Sequence, residues 1–158
     1  MRKYIWAAFP SVWAFVLMSA AVLSVAAAPV DEMTAKARVF WDRYVAMERS
    51  FDPAIADMYA DDAVIKNYRR YPNGQVREMI LGAPEYKDMI RGTMGLAKLR
   101  GDASRYSNFS YKAEGERVRI VCSRFSELKK YDSSYELLVG PGPDGTWLIF
   151  EEISESRP

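Results

Sequence analysis

The 158-residue chain contains no histidine and a single cysteine, Cys122. The missing imidazole removes the commonest general base, the serine triads and the histidine-based metal sites. Cys122 ends the run Val118-Arg119-Ile120-Val121-Cys122. A lone thiol there reads as a small core residue, since free cysteine is among the most buried residue types. Acid-base work is left to carboxylates and tyrosines, with Glu152 and Arg124 as the catalytic candidates. By strict alternation from Leu148, Leu148, Phe150 and Glu152 share one face of a C-terminal strand. Val118, Ile120, Cys122 and Arg124 share a face of an earlier one. With both faces concave, Glu152 and Arg124 would form a charged pair inside an apolar cavity. Such a pair can anchor a ligand, or serve as acid and base toward a water or substrate. The blander account, a structural salt bridge or two solvated charges on the convex face, is the commoner one, since structural ion pairs outnumber active sites. These residues imply no metal and no cofactor.

The elements that must position these groups are legible from periodicity. Met33, Ala37, Phe40, Trp41, Tyr44, Val45 and Glu48 recur at helical spacing and predict a helix over 32–50. All but Glu48 are apolar or aromatic. Asp52-Pro53 reads as an N-cap followed by proline at the first helical position, opening a short second helix that ends at Asp61-Asp62. A strand over 63–71, the turn Tyr71-Pro72-Asn73-Gly74 and a return strand over 76–81 make a hairpin. Lys66, Arg69, Arg70 and Arg77 cluster on it beside Tyr68 and Tyr71. That is a patch for an anionic partner or, more blandly, an edge protected by charge. Pro84 opens a third helix carrying Tyr86, Met89, Ile90 and Met94. Four strands follow over 105–113, 117–128, 133–139 and 146–154. Short turns between them favour antiparallel pairing. The pattern is α+β, with the helices packed on one face of a curved, mostly antiparallel sheet of about six strands.

That order of elements, with Arg43-Tyr44-Val45-Ala46 and Tyr59-Ala60-Asp61-Asp62-Ala63, resembles the nuclear transport factor 2-like (SnoaL-like) superfamily. Its members include ketosteroid isomerase, whose corresponding segments are similar. The resemblance covers about residues 32 to 154. It implies a sheet curled into a cone, closed by the three helices and holding a small, mostly apolar molecule. It also implies positions. Tyr44 falls where the isomerase polarises a carbonyl, Tyr135 falls at a second hydrogen-bonding position, and Asn67 stands where an aspartate moves the proton. An amide cannot accept that proton at neutral pH, so steroid isomerisation by that route is not expected. Phe40, Trp41 and Tyr44 should face Leu137, Val139, Leu148 and Phe150 around a cavity. The ligand-binding candidates are accordingly Trp41, Tyr44, Asn67, Tyr135 and Phe150. The functions in view are an exported small-molecule-binding domain, a cofactor-independent isomerase or hydrolase using a pocket carboxylate, and an interaction module that pairs into a homodimer.

The chain's start reads as an address. Arg2 and Lys3 precede an uncharged stretch from Tyr4 to Val30 that ends in the small residues Ser24-Val25-Ala26-Ala27-Ala28. Residues 1–27 are expected to be a signal peptide or an uncleaved anchor, and 28–158 one domain, periplasmic or secreted. Lys and Arg total 22 against 21 Asp and Glu. Losing Arg2 and Lys3 leaves the remainder one charge negative, which argues against nucleic acid as a partner. No membrane contact is expected unless the leader stays uncleaved. N-terminal sequencing of the exported form should begin near Ala28; a cytoplasmic protein that retains Met1 would contradict the assignment.

Overall fold

The structure, a computed structural model, describes residues 30–158. The leader and its cleavage site lie outside the described residues. Helix α1 spans Val30–Ser50, with Asp31 and Glu32 in its first turn and Arg49 in its last, as the helix dipole favours. Asp52 caps a 3-10 helix over Pro53–Met58, its side chain accepting from the Ala54 N–H at 2.9 Å. The strands are β1 (Tyr59–Arg70), β2 (Val76–Gly82), β3 (Ser104–Glu114), β4 (Arg117–Ser126), β5 (Tyr131–Pro141) and β6 (Trp147–Ser156). Helix α2, Ala83–Arg100, stands between β2 and β3 and is stopped by Gly101 in the left-handed region, φ 63°.

Two boundaries differ from the sequence reading. The short helix is 3-10 rather than α, and it ends at Met58. The first strand therefore starts at Tyr59, and Asp61 and Asp62 lie within it as exposed residues. The β1–β6 register is irregular between Tyr59 and Val64, so the acidic pair occupies a bulged stretch rather than a helix end. Met89 also departs from its expected place, since it is exposed on α2.

The six strands form one sheet in the order β2-β1-β6-β5-β4-β3. All neighbours are antiparallel except β1 and β6, which run parallel. Register lines residues into rows across the inner face. One row is Tyr111, Ile120, Leu137, Glu152, Ile65 and Leu81; the next is Cys122, Tyr135, Ser154, Asn67 and Met79. The α1 face made of Met33, Ala37, Phe40, Trp41 and Tyr44 is buried in the same core as Ile65, Ile120, Leu137, Val139 and Ile149. The opposite sheet face carries charge. Glu151 takes Lys66 Nζ at 2.7 Å and Arg119 Nη1 at 2.9 Å, and Arg119 also reaches Glu114. Among the described residues, no helix is long and apolar enough to cross a membrane.

Strict alternation fails on β6. Leu138 pairs with Glu151 and Val139 with Ile149, so the ladder skips Phe150. This bulge puts Ile149, Glu152 and Ser154 among the buried residues while Glu151 joins the outer charges. Phe150 is half-buried off the inward row, with the Arg117 guanidinium 3.5 Å above its ring. It packs against the buried cluster from its edge.

Leu137 is fully buried at the centre of its row. Leu137→Ala should cost about 2 to 5 kcal/mol, the usual range for deleting a core leucine. Urea denaturation would read this as a lower midpoint at unchanged slope, and a loss under about 1 kcal/mol would mean that the row is not tightly packed.

Candidate functional site

Glu152 is the one carboxylate in an apolar row, and only 3 % of it is exposed. The β6 bulge turns it inward. The Tyr59 hydroxyl donates to its Oε2 at 2.5 Å and the Tyr86 hydroxyl to its Oε1 at 3.0 Å. The 3-10 helix ends at Met58 and so delivers Tyr59 at the start of β1; the first turn of α2 delivers Tyr86. The two tyrosine rings meet edge to face with centroids 5.3 Å apart. Burying an ionised carboxylate costs several kcal/mol. Hydrogen bonds to a charged acceptor return about 1.5 to 3 kcal/mol each. Two donors therefore offset most of that cost but leave little surplus.

Beside this triad, the Tyr44 and Tyr135 hydroxyls share a hydrogen bond of 2.7 Å. Trp41 stacks on Tyr44 at 5.5 Å and meets Tyr106 edge-on at 4.9 Å. Tyr106 in turn donates to Glu48 Oε1 at 3.0 Å, while the buried Glu48 Oε2 has no hydrogen-bond partner among the described residues. Burial lifts the phenols of Tyr44, Tyr59, Tyr86, Tyr106 and Tyr135 above their ordinary range, and Glu152 adds to this for all but Tyr106. They remain protonated donors at neutral pH. The same burial pushes the Cys122 thiol up to about 12, which removes it as a nucleophile.

Arg124 and Glu152 do not form the pair expected from alternation. Among the described residues Arg124 has no salt bridge; it donates from Nη2 to the Glu155 carbonyl at 2.9 Å and lies over the Tyr135 ring at 5.2 Å. Tyr135 stands on β5 between the β4 strand of Arg124 and the β6 strand of Glu152. The Asn67 amide donates to Ser154 Oγ at 2.9 Å, and its oxygen accepts from Ser156 Oγ at 2.7 Å. Its hydrogen bonds run along β6 and do not join the tyrosine–glutamate cluster. The structure thus brings Trp41, Tyr44, Tyr135 and Glu152 together. It leaves Asn67 one row away and Phe150 off the inward row.

The open space differs from the expected cavity. Buried side chains of Tyr44, Tyr59, Tyr135 and Glu152 occupy the region under α1. Two clefts open beside them. One, of 310 Å³, is lined by Trp41, Val45, Arg49, Tyr106 and Phe109. The other, of 370 Å³, is lined by Arg49, Arg105, Tyr106, Phe125 and Asp132. Tyr106 is common to both and carries Glu48 behind it. Among the described residues no group of three or more His, Cys, Asp or Glu side chains is placed to hold a metal ion.

Four members of this cluster escaped the sequence reading as site residues: Glu48, Tyr59, Tyr86 and Tyr106. Glu48 carried a usable signal, as the single polar residue on an otherwise apolar helix face. The tyrosines carried none, because a buried aromatic position does not reveal where its hydroxyl points.

The architecture is that of NTF2-like proteins. A crystal structure of an NTF2-like protein of unknown function from Pseudomonas putida KT2440 superposes with a TM-score of 0.59 at 15 % identity, over 77 % of this chain and 84 % of that one. An NTF-2 like protein of unknown function from Shewanella oneidensis MR-1 gives 0.57 at 16 % identity, over 78 % and 98 %. A protein from Catenulispora acidiphila, solved in complex with S-DNPA, gives 0.51 at 14 % identity, over 79 % and 93 %. No family model matches the sequence, and no curated protein matches it. At these identities the likeness establishes the fold, and function must be argued from the site.

Burial holds the Glu152 and Glu48 carboxyls above the ordinary carboxylate range, against the pull of their tyrosine donors and of Arg124. Between the unfolded and the raised native values, the folded protein keeps protons that the unfolded chain has released. Stability should therefore fall as pH rises through that window. Glu152→Gln removes one of the two groups and should flatten that decline, measured by urea denaturation at a series of pH values. An unchanged slope in the variant would show that Glu152 titrates as an ordinary carboxylate.

Proposed function

We propose that this is an exported domain that binds a small, largely apolar molecule bearing a hydrogen-bonding oxygen. The ligand enters between α1 and β3. Trp41, Tyr106 and Phe109 form its walls, and Tyr44, Tyr135 and Glu152 lie beneath. The observation that carries this reading is a group of buried phenols and carboxylates packed against the aromatic residues that line the cleft. A core built only for stability gains nothing by enclosing two carboxylates and five phenols, since apolar side chains of the same volume serve at least as well. The cleft volumes sit at the lower end of ordinary small-molecule sites. The Catenulispora acidiphila protein of similar fold was solved in complex with S-DNPA.

A second reading rests on one specific observation, the raised Glu152 carboxyl between two tyrosine donors. A group so tuned can move a proton on a bound substrate, making the domain a cofactor-independent isomerase or hydrolase. Binding retained in Glu152→Gln with turnover abolished would select this reading; binding without turnover in wild type selects the first.

The test uses Trp41 as reporter in a Trp147→Phe background. A lipophilic ketone and the hydrocarbon of the same shape should both quench or shift its emission. Tyr44→Phe should weaken the ketone about fivefold to tenfold, the equivalent of one net hydrogen bond of about 1 kcal/mol, and leave the hydrocarbon unaffected. Failure of both ligands to bind wild type would end the binding hypothesis and leave the filled interior as the core of an interaction module.

A further inference from the structure

A third cleft lies away from the tyrosine cluster. It has a volume of 620 Å³ and is walled by Arg70, Tyr71, Lys129, Lys130, Tyr131 and Arg157. The side chains lining it carry four positive charges, and the carboxylate of Pro158 lies beside them. They come from three distant parts of the chain. Because β1 and β6 run parallel, both bring their C-terminal ends to the same edge of the sheet, and antiparallel β5 begins there. Arg70 closes β1, Arg157 follows β6, and Lys129 and Lys130 form the turn into β5.

Several of these groups are held in place. Glu155 takes Arg70 Nη2 at 2.6 Å, and Glu127 takes Lys130 Nζ at 3.1 Å; neither carboxylate lines the cleft. The Arg157 guanidinium sits over the Tyr131 ring at 4.7 Å, and the Arg157 backbone N–H donates to the Tyr131 hydroxyl at 3.0 Å. Among the described residues neither Lys129 nor Arg157 forms a salt bridge, although the Arg157 charge is felt by Glu155. Arg70 and Lys130 are compensated by their glutamates, so the repulsion left in the empty cleft is chiefly that between Lys129 and Arg157. An anion seated among them relieves that repulsion. Its other groups would pack on Tyr71 and Tyr131.

We infer that this cleft is a binding site for a soluble, phosphate-bearing small molecule. Lys129 and Arg157 supply the free charges, and Arg70 and Lys130 are braced from behind. The inference is independent of the apolar-ligand reading, since the two sites share no residue.

A phosphate group could also be presented by a lipid surface, and the experiment separates the two sources. Protein purified after expression of the full chain is titrated calorimetrically with inorganic pyrophosphate, and separately with phosphatidylglycerol vesicles. Pyrophosphate should bind at one per chain and weaken steadily with added salt. Lys129→Ala and Arg157→Ala should each weaken it at least fivefold, and the double variant should abolish it. Both positions are exposed, so folding should survive, and Trp41 emission checks that it has. The ketone titration should be unaffected by either substitution. Absence of pyrophosphate binding at millimolar concentration, equal binding by the double variant, or binding of vesicles alone would each overturn the proposal.

Discussion

A single extra residue in β6 decides what the interior of this protein is made of. Without the bulge at Phe150, Ile149 would be followed inward by Glu151 and Ile153, and Glu152 would join the ion network on the other sheet face. With it, Glu152 turns under α1, and a carboxylate occupies the middle of an otherwise apolar row. The surrounding structure accommodates that one fact. Tyr59 and Tyr86 arrive from two different elements to donate to its two oxygens. Their positions fix where the 3-10 helix must stop and where α2 must start.

The tyrosines act as more than filler. Each buried phenol needs a partner, and here the partners are one another or a glutamate. The Tyr44–Tyr135 bond ties α1 to β5, Tyr106–Glu48 ties β3 to α1, and the Glu152 pair ties β6 to β1 and α2. Helix placement on the sheet is thereby specified by direction as well as by apolar area. Apolar contacts alone would allow α1 to slide or rotate at small cost; paired hydroxyls at hydrogen-bond distance do not. Within this cluster Glu48 Oε2 is the exception, an acceptor enclosed without a donor among the described residues.

Much of this architecture is legible in the sequence alone. The α1 face, the Asp52 cap, the Tyr71–Gly74 turn and the long terminal strands are written in local periodicity and turn chemistry, and each stands within a few residues of its expected place. The inward turn of Glu152 was anticipated for a reason that does not hold, since alternation from Leu148 would have carried Phe150 inward with it. Bulges are set by tertiary packing and leave no periodic trace. The Arg124–Glu152 pair failed for a related reason: sharing a face says nothing of spacing across it, and the intervening Tyr135 ring takes the guanidinium instead. Hydroxyl partners such as Tyr59 and Tyr86 depend on contacts between remote segments, which no single stretch encodes.

The parallel pairing of β1 with β6 has a consequence for how the chain acquires its shape. The strand nearest the start of the domain finds its central neighbour only in the last one, about ninety residues later. A polypeptide emerging N-terminus first, from a ribosome or a translocation channel, can form α1 and the β1–β2 hairpin early. The sheet's middle then stays open until β6 is released. Until that moment β1 presents an unpaired edge, and Tyr59, Ile65 and Ala63 lack the surface they cover. Folding of such a topology is governed by long-range closure and belongs to the slower range of small domains. The exposed interval, rather than the finished fold, is where this protein would most depend on chaperones.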